Sequence, residues 1–445
     1  MKRGKTPKHG LRICTLVVIL FLSVTAASGD QLYDLCMEGH LLRGGSFLFI
    51  RHKYSTLDPV LKTMEIHLFN PQTGKITFLQ RGDEKVYHRP VVSADRSTVV
   101  YHSVIEGNDF LVTRNLQSDV STRLRFDTGG YFLLNALHYD NDTVASVLKR
   151  GEGRQAIYII SNSKGTIRRI FNVRDIRDIG FLSNGNIYYA DMLTDRVVLG
   201  IVKRGARGST IVARGVERLA KAPEGNALLY STEDGLFFYR VNNEESIKLL
   251  NEVPPDLPFP LMAEDGSTCV VFRHDAVLIV NIPSGDVLYL LALDTKNTSH
   301  ILTNFTLYTA KGNSIFHIKH KKPGQYLVEL LKEKEPVTLL GASPDDRYLF
   351  YQTGDPSKLI IYTIESGRRV VRDFPFAIQD IYVPESPTET LYIRGTSRSD
   401  DQIELRELYL YNFKIGGLVA ISAASNTDLG PYLREVEDLD PVLYE

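Results

Sequence analysis

Two clusters of basic residues are the clearest binding-site candidates in this sequence. One cluster consists of Lys319, His320, Lys321 and Lys322, and the other of Lys203, Arg204 and Arg207 around Gly205-Ala206. Each cluster separates two β-prone runs, which places it in a loop. Ammonium and guanidinium groups bind carboxylates and phosphates. We therefore expect either an anionic ligand or a partner's acidic surface at these loops, or else charges that are simply solvated.

The sequence lacks the short motifs of common hydrolases, zinc sites and c-type haem sites. A serine hydrolase needs a Gly-x-Ser-x-Gly elbow, but Ser343 is followed by Pro344 and is better explained as a turn residue. There is no His-Glu-x-x-His and no Cys-x-x-Cys. His317 and His320 lie three residues apart, and in a strand that odd spacing directs side chains to opposite faces.

The acidic residues and the cysteines do not indicate a stronger candidate site than the basic clusters. Asp400, Asp401 and Glu404 have the oxygen ligands that calcium prefers, although a solvated loop also explains them. Cys269 lies in the β-prone run Thr268–Phe272 and is interpreted as a buried core thiol. A disulfide from Cys36 to Cys269 is an alternative in an oxidising compartment. The sequence thus predicts no catalytic residue, no metal ligand and no cofactor.

Residues 1–29 have the three parts of a secretory signal peptide. The apolar run Ile13–Val24 is shorter than the roughly 20 residues of a spanning helix, and Ala27-Ser28-Gly29 offers a cleavage point. It follows a basic segment that contains Lys2, Arg3, Lys5, Lys8 and Arg12. We therefore expect an exported protein, periplasmic or extracellular, without stable membrane insertion once the signal is cleaved. A retained signal-anchor is the alternative.

The charge of the remaining chain disfavours nucleic acid as a partner. Without residues 1–29 the chain has 47 basic and 53 acidic residues, a net charge of −6. Nucleic-acid binding generally requires a basic stripe. The acidic end, 433–445, is predicted to be a solvated tail.

A turn followed by two β-prone runs recurs along most of the chain. The clearest copy begins at Ser343-Pro344-Asp345-Asp346, continues through the run Leu359–Ile364 and ends at the turn Glu365-Ser366-Gly367. Pro and Asp favour tight turns. Corresponding anchors recur every 41 to 46 residues, except for the 34 residues between Gly312 and Asp346. Further apolar runs before and after each pair leave room for four strands per unit.

This pattern resembles the WD40-like repeat of TolB-type β-propellers, over roughly Gly44 to Ser422. Propeller blades of this kind have four strands in about 40–45 residues. The fold is therefore predicted to be all-β, a single β-propeller of four-stranded blades spanning 30–432. Nine strand pairs are found, but propellers typically have four to eight blades and the unit at Gly312 is short. Eight blades are preferred, with seven or nine left open.

Two further expectations concern the turns and the ends of the ring. The turn glycines Gly74, Gly165, Gly285 and Gly367 should occupy equivalent places, between second and third strands, with positive φ. The first unit has room for an innermost strand only at Leu32–Leu42. The two ends of the repeat region should adjoin, so that Leu418–Ile421 packs near Phe47–Ile50.

The resemblance implies a fold more firmly than a function, since propellers host binders, scaffolds and enzymes. TolB-type propellers are exported and act through protein contacts on their loop faces. Such proteins carry a separate N-terminal domain ahead of the propeller, which we do not expect here, so a TolB-like role in an envelope complex is not expected to transfer. The leading hypothesis is a non-enzymatic exported scaffold that binds a protein, with a glycan as a further possibility. The rival is an enzyme of the propeller lyase or lactonase type, with acidic residues and histidines meeting in the central channel.

Overall fold

The computed structural model shows a chain built almost wholly of β-strands, 37 in the part described, with one short 3₁₀ helix at Arg43–Gly45. The structure describes residues 32–55, 62–80, 84–86, 90–93, 95–126, 130–138, 140–150, 154–251, 253, 258–263, 265–282, 284–292, 295, 298–321, 326–384, 389–398 and 404–422. The predicted signal peptide (1–29) and acidic tail (433–445) lie outside these ranges. Their boundaries therefore stay predictions.

The strands form eight sheets, of which the first is larger than the others. Sheet 1 contains β1 (Leu32–Leu41), β2 (Phe47–Ser55), β3 (Lys62–Asn70), β4 (Lys75–Phe78), β5 (Lys85–Val86), β6 (Val91–Val92), β7 (Thr98–Ile105), β8 (Asn108–Asn115) and β9 (Ser121–Phe126). It has two four-stranded halves, β1–β4 and β6–β9. The two-residue strand β5 pairs with both β3 and β7 and joins the halves.

The other seven sheets each contain four consecutive antiparallel strands. Sheet 2 comprises β10 (Gly130–Leu137), β11 (Thr143–Arg150), β12 (Arg154–Ser161) and β13 (Thr166–Val173). Sheet 3 comprises β14 (Ile176–Phe181), β15 (Ile187–Leu193), β16 (Arg196–Val202) and β17 (Thr210–Arg214). Sheet 4 comprises β18 (Arg218–Lys221), β19 (Ala227–Thr232), β20 (Gly235–Arg240) and β21 (Glu245–Leu250).

Sheets 5 to 8 repeat the same order. Sheet 5 comprises β22 (Leu261–Met262), β23 (Thr268–Phe272), β24 (Ala276–Asn281) and β25 (Val287–Ala292). Sheet 6 comprises β26 (Thr298–Leu302), β27 (Thr306–Lys311), β28 (Ser314–Lys319) and β29 (Val328–Lys332). Sheet 7 comprises β30 (Val337–Ala342), β31 (Tyr348–Thr353), β32 (Lys358–Thr363) and β33 (Arg369–Asp373). Sheet 8 comprises β34 (Ala377–Tyr382), β35 (Thr390–Arg398), β36 (Glu404–Asn412) and β37 (Gly417–Ala420).

The position of a strand in its sheet follows from its sequence. Second and third strands, such as the wholly buried β19, are nearly continuous apolar runs because neighbouring sheets cover both faces. Fourth strands are more exposed and mostly carry charge, as Arg369 and Arg372 do in β33. Charge on an edge strand discourages pairing with another chain.

Nine hydrophobic clusters, formed by described residues, connect each four-stranded group to the next and the last group to the first. The sheets therefore form one closed ring, a β-propeller. The predicted all-β propeller of four-stranded blades is confirmed, and the eight sheets match the preferred number. Because sheet 1 has two halves, nine four-stranded groups go round the ring, which accounts for the nine repeats in the sequence.

Ring closure takes place between sheet 8 and the first half of sheet 1. The Phe47 and Tyr392 rings stack with their centroids 4.4 Å apart, and Ile421 is fully buried in the same cluster. The Tyr392 hydroxyl donates a hydrogen bond of 2.6 Å to the carbonyl oxygen of Gly45. The predicted contact between the two ends of the repeat region is confirmed. β1 also provides the predicted innermost strand.

The seventh repeat corrects one sequence expectation. Sheet 6 is a complete four-stranded sheet, and Gly312 lies in the hairpin between its second and third strands, not at its anchor turn. The anchor turn is Thr303-Asn304-Phe305, where the Thr303 hydroxyl accepts hydrogen bonds from the backbone N–H groups of Phe305 and Thr306. Moving the anchor to Asn304 removes the short interval of 34 residues.

The turn glycines are equivalent, but one strand later than expected. Gly74, Gly165, Gly285 and Gly367 all have positive φ, between 60° and 77°. Each lies between the third and fourth strands, because another strand precedes the anchor turn. The predicted position, between the second and third strands, was therefore wrong.

Cys269 is a free thiol with its side chain fully buried, as the core interpretation predicted.

We expect Ile421→Ala to lower the free energy of unfolding by about 2–5 kcal/mol, the usual cost of truncating a buried isoleucine. Calorimetric melting would measure the loss. Ile211→Ala, at an exposed site on β17, is the control and should change stability by at most about 0.5 kcal/mol. Equal losses in the two variants would contradict the closing role of Ile421.

We also expect Gly285→Val to destabilise the protein by about 1 kcal/mol or more beyond Ser284→Val. Gly285 has φ +77°, where a β-branched residue is strained, and an added Cβ would lie 3.3 Å from Ile247 Cδ1. Ser284→Val removes a hydroxyl that donates to Asn281 Oδ1 and accepts from the backbone N–H of Asp286, but it introduces no strain at a positive φ. Equal melting temperatures for the two variants would show that this turn tolerates a side chain.

Candidate functional site

The two sides of the ring differ in their turns. First strands of neighbouring sheets contact one another, for example β10 with β14 and β26 with β30, so they surround the central channel. Because the strands alternate in direction, the turns between first and second strands and those between third and fourth strands lie on the same side. We call this side the anchor face. Its turns include residues 140–142, 183–185, 203–207, 223–225, 303–305 and 343–347.

Hydrogen bonds between turns of the anchor face link neighbouring blades. Asn141 Nδ2 donates to Asp95 Oδ2 at 2.7 Å, and Thr303 Oγ1 donates to Asp346 Oδ1 at 2.8 Å. Burial by itself would raise the pKa of Asp95, but hydrogen bonds from Ser93, Ser97 and Asn141 outweigh it and lower that pKa to about 2. The residues of the anchor turns therefore link neighbouring blades, in addition to marking the start of each repeat.

A cleft of 280 Å³ lies at the anchor face between sheets 2 and 3. Ile170, Phe181 and Val202, all at most 8% exposed, are among the apolar residues that form its floor. Two of the predicted binding residues, Lys203 and Arg204, lie at its rim. Residues from sheet 2 that the sequence analysis did not select complete the rim, namely His138, Asp140 and Arg168.

The loop between β16 and β17 brings Lys203 and Arg204 to this rim. The backbone N–H of Arg204 donates to Asn186 Oδ1 at 3.0 Å, which fixes the start of the loop. Lys203 Nζ lies 2.8 Å from Glu244 Oε2 of sheet 4, so this lysine is already paired. Arg207, the third predicted residue of this loop, is exposed and does not line the cleft.

The second predicted cluster lies at the corresponding place between sheets 5 and 6. A cleft of 500 Å³ there is lined by Leu288, Tyr289, His320 and Lys321, among others. Lys319 is exposed at the end of β28, and Lys321 forms an ion pair with Asp265. Lys322 lies outside the described residues. Both predicted clusters therefore occupy loops between third and fourth strands on the anchor face.

His320 is placed differently from the lysines beside it. It is 1% exposed, and its Nε2 lies 3.1 Å from the carbonyl oxygen of Thr303. Burial lowers the pKa of His320 and of His317, and burial alone lowers that of His300 to about 4. The positive charge of this cluster therefore comes from its lysines.

Exposed apolar side chains concentrate near the same place. Among the described residues, nine large hydrophobic side chains are exposed, and five of them belong to sheets 5 and 6: Val287, Leu288, Phe305, Tyr326 and Val328. Tyr326 is 81% exposed. Lys321 Nζ lies 5.1 Å from the centroid of the Phe305 ring. We call these five residues, with Lys319 and Lys321, the docking patch.

The innermost strands of sheets 3 and 4 hold a desolvated pair of opposite charges. Burial raises the pKa of Asp178 in β14, and burial lowers the pKa of Lys221 in β18. The Tyr188 hydroxyl donates to Asp178 Oδ2 at 3.3 Å. Within the described ranges, no three His, Cys, Asp or Glu side chains come together as a metal site would require.

Among the described residues, no helix has the length and hydrophobicity needed to span a membrane.

No protein-family model and no curated protein sequence matches the chain. Among solved structures, it resembles a eukaryotic initiation factor (13% identity, 79% of this chain and 91% of the other, TM-score 0.49). It also resembles an oligogalacturonate lyase from Vibrio parahaemolyticus, with 10% identity, coverage of 77% of this chain and 90% of the other, and a TM-score of 0.42. A third similar structure is the β-propeller domain of Myceliophteria thermophila Cps50, with 11% identity, coverage of 65% of this chain and 99% of the other, and a TM-score of 0.32. The fold assignment rests on the sheets described above.

We expect the melting temperature to fall as the pH drops from about 6.5 to about 4. In the unfolded chain His300 takes up a proton near its ordinary pKa of 6.5, whereas burial holds its folded pKa at about 4. Protonation therefore favours unfolding across this window. His300→Gln should flatten the curve of melting temperature against pH, while His274→Gln, at an exposed site, should not. Parallel curves for wild type and His300→Gln would contradict this origin.

Proposed function

We propose that this chain is an exported, non-enzymatic propeller that binds a protein partner through the docking patch of its anchor face. The observation that carries the proposal is the concentration of exposed apolar side chains on two adjacent sheets, beside two lysines. Monomeric proteins rarely expose large contiguous apolar patches, and such patches commonly mark interaction sites. Aromatic anchors such as Phe305 and Tyr326 often contribute much of the binding energy at an interface.

Charge favours a partner with acidic residues around an apolar centre. Lys319 is exposed, and Lys321, which forms an ion pair with Asp265, also lies over the Phe305 ring. Complementary charge speeds association and selects among partners more than it adds affinity. A glycan is the other ligand that aromatic side chains at this site would suit, and the test below separates the two.

The sequence of residues 1–29 supports the proposal that the protein is exported. The basic segment, short apolar run and small residues of 1–29 have the order of a cleaved signal peptide. Binding of a protein through the loops of one propeller face is the corresponding proposal for the mature chain. Mass spectrometry of native protein would test export, since an intact Met1 in a membrane fraction would contradict cleavage.

We expect the double variant Phe305→Ser/Tyr326→Ser to lose binding to the native partner by about 30-fold or more, because aromatic anchors typically contribute over 2 kcal/mol. Partners would be cross-linked to the exported protein, identified by mass spectrometry and measured by titration. Val120→Ser/Val371→Ser removes two exposed valines outside the patch and should leave affinity within twofold of wild type.

Equal retention of the partner by both double variants would contradict the proposed docking patch. If a purified oligosaccharide binds wild type, loses binding on Phe305→Ser/Tyr326→Ser and no protein is captured, the patch is a glycan site. Melting curves of all variants confirm that the ring is intact. These side chains are exposed, so their loss should change stability little.

A lyase- or lactonase-type enzyme is the second candidate, and one observation favours it. Asp178 and Lys221 are desolvated on channel-lining strands, with pKa values shifted in the directions that suit proton transfer. Asp178→Asn would abolish turnover of a polysaccharide or lactone substrate if this pair were catalytic. Turnover by wild type that survives Asp178→Asn would exclude the pair.

A further inference from the structure

We propose that the cleft between sheets 2 and 3 binds a small organic acid, with an anionic head at Arg204 and Arg168 and an apolar body on the floor of the cleft. This anion cleft is separate from the docking patch, which belongs to sheets 5 and 6. It combines a cavity, an apolar floor and cationic side chains from two different sheets.

The volume and lining of the anion cleft suit a small ligand. At 280 Å³ it is just below the roughly 300–1,000 Å³ that is usual for small-molecule sites, so it suits a ligand at the small end of that class. Ile170, Phe181, Ile187 and Val202 contribute buried apolar surface from both sheets. Such sites typically combine apolar walls with a few polar groups that fix the orientation of the ligand.

The rim of the anion cleft has cationic groups that the protein does not neutralise. Among the described residues, no carboxylate forms an ion pair with Arg168 or Arg204. Lys203 is paired with Glu244 and therefore contributes less to the attraction of an anionic ligand. Guanidinium groups bind carboxylates and phosphates through two parallel hydrogen bonds. The expected head group is therefore a single carboxylate or phosphate.

Gly185 leaves the space between the polar groups open. It has φ +78°, and an added Cβ would lie 3.3 Å from Arg204 Cδ and 3.4 Å from His138 Nε2. The backbone N–H of Asp140 donates to His138 Nδ1 at 3.2 Å. His138 Nε2 is the ring nitrogen on the Gly185 side of the cleft.

Asp140 is the one carboxylate among the described residues that line the rim, and it is hydrogen-bonded within its own turn. Asp140 Oδ1 accepts hydrogen bonds from the backbone N–H groups of Asp142 and Thr143, at 2.9 and 2.8 Å. Asp140 Oδ2 accepts from Thr143 Oγ1 at 2.9 Å and lies 3.1 Å from His138 Nδ1. These bonds satisfy the carboxylate within the rim, so it opposes an incoming anion less than a free carboxylate would.

The test is a calorimetric titration of the full chain with indole-3-acetate, its neutral analogue indole-3-acetamide, and inorganic phosphate. We expect indole-3-acetate to bind in the micromolar to millimolar range and the amide to bind at least tenfold more weakly. Phosphate alone, which lacks the apolar body, should also bind at least tenfold more weakly. Phosphate that binds as tightly as the acid would overturn the role of the apolar floor.

Arg204→Met and Arg168→Met should each weaken indole-3-acetate binding at least tenfold. Arg207→Met is the matched control, because Arg207 is an exposed arginine of the same loop that does not line the cleft. It should change affinity by less than twofold. Melting curves will show that the variants are folded, as expected for exposed side chains.

Three further results would overturn the proposal. They are no binding of indole-3-acetate by wild type at 10 mM, equal binding of acid and amide, or an equal loss of affinity in Arg207→Met and Arg204→Met. Each can occur while the protein partner still binds the docking patch. Failure of this proposal and failure of the proposed function are therefore distinguishable.

Discussion

The packing between the last and first four-stranded groups is the constraint on which the ring depends. Among the strands that the structure describes, each sheet is made of strands consecutive in the chain, and none combines strands from both ends of the repeat region. Closure therefore relies on side chains, above all the stacked rings of Phe47 and Tyr392 and the buried Ile421. Without this contact both terminal groups would expose an apolar face to water, and such faces favour aggregation.

Closure also positions both candidate sites, because each lies between neighbouring sheets and neither belongs to one sheet alone. In the anion cleft, Arg168 comes from β13 of sheet 2 and Arg204 from the loop after β16 of sheet 3. The cleft of the docking patch likewise combines Leu288 of sheet 5 with Lys321 of sheet 6. The spacing between blades thus sets the geometry of each site, and hydrogen bonds such as that from Asn141 to Asp95 help to maintain it.

Much of the architecture was predictable because each blade repeats locally encoded features. Turn residues such as Ser343-Pro344-Asp345-Asp346 and glycines with positive φ mark the same positions in successive sheets. The turn at Thr303-Asn304-Phe305 escaped detection because a threonine hydroxyl stabilises it without Gly or Pro. The basic loops could be identified in the sequence, but Arg168 and His138 could not be predicted to line the same cleft as Arg204. Their proximity to Arg204 arises only when two sheets pack.

The two-residue strand β5 joins the first two blades more firmly than side-chain packing alone would join them. Its backbone pairs with β3 on one side and β7 on the other, so a hydrogen-bonded ladder crosses the boundary between the two halves of sheet 1. Among the described strands, no other one pairs with two blades in this way. A ring under tension would part first where only side chains hold it, and the first two blades would leave as a single body. The N-terminal blade pair is therefore joined by strand pairing as well as by side chains, and it lies directly beside the seam where the circle closes.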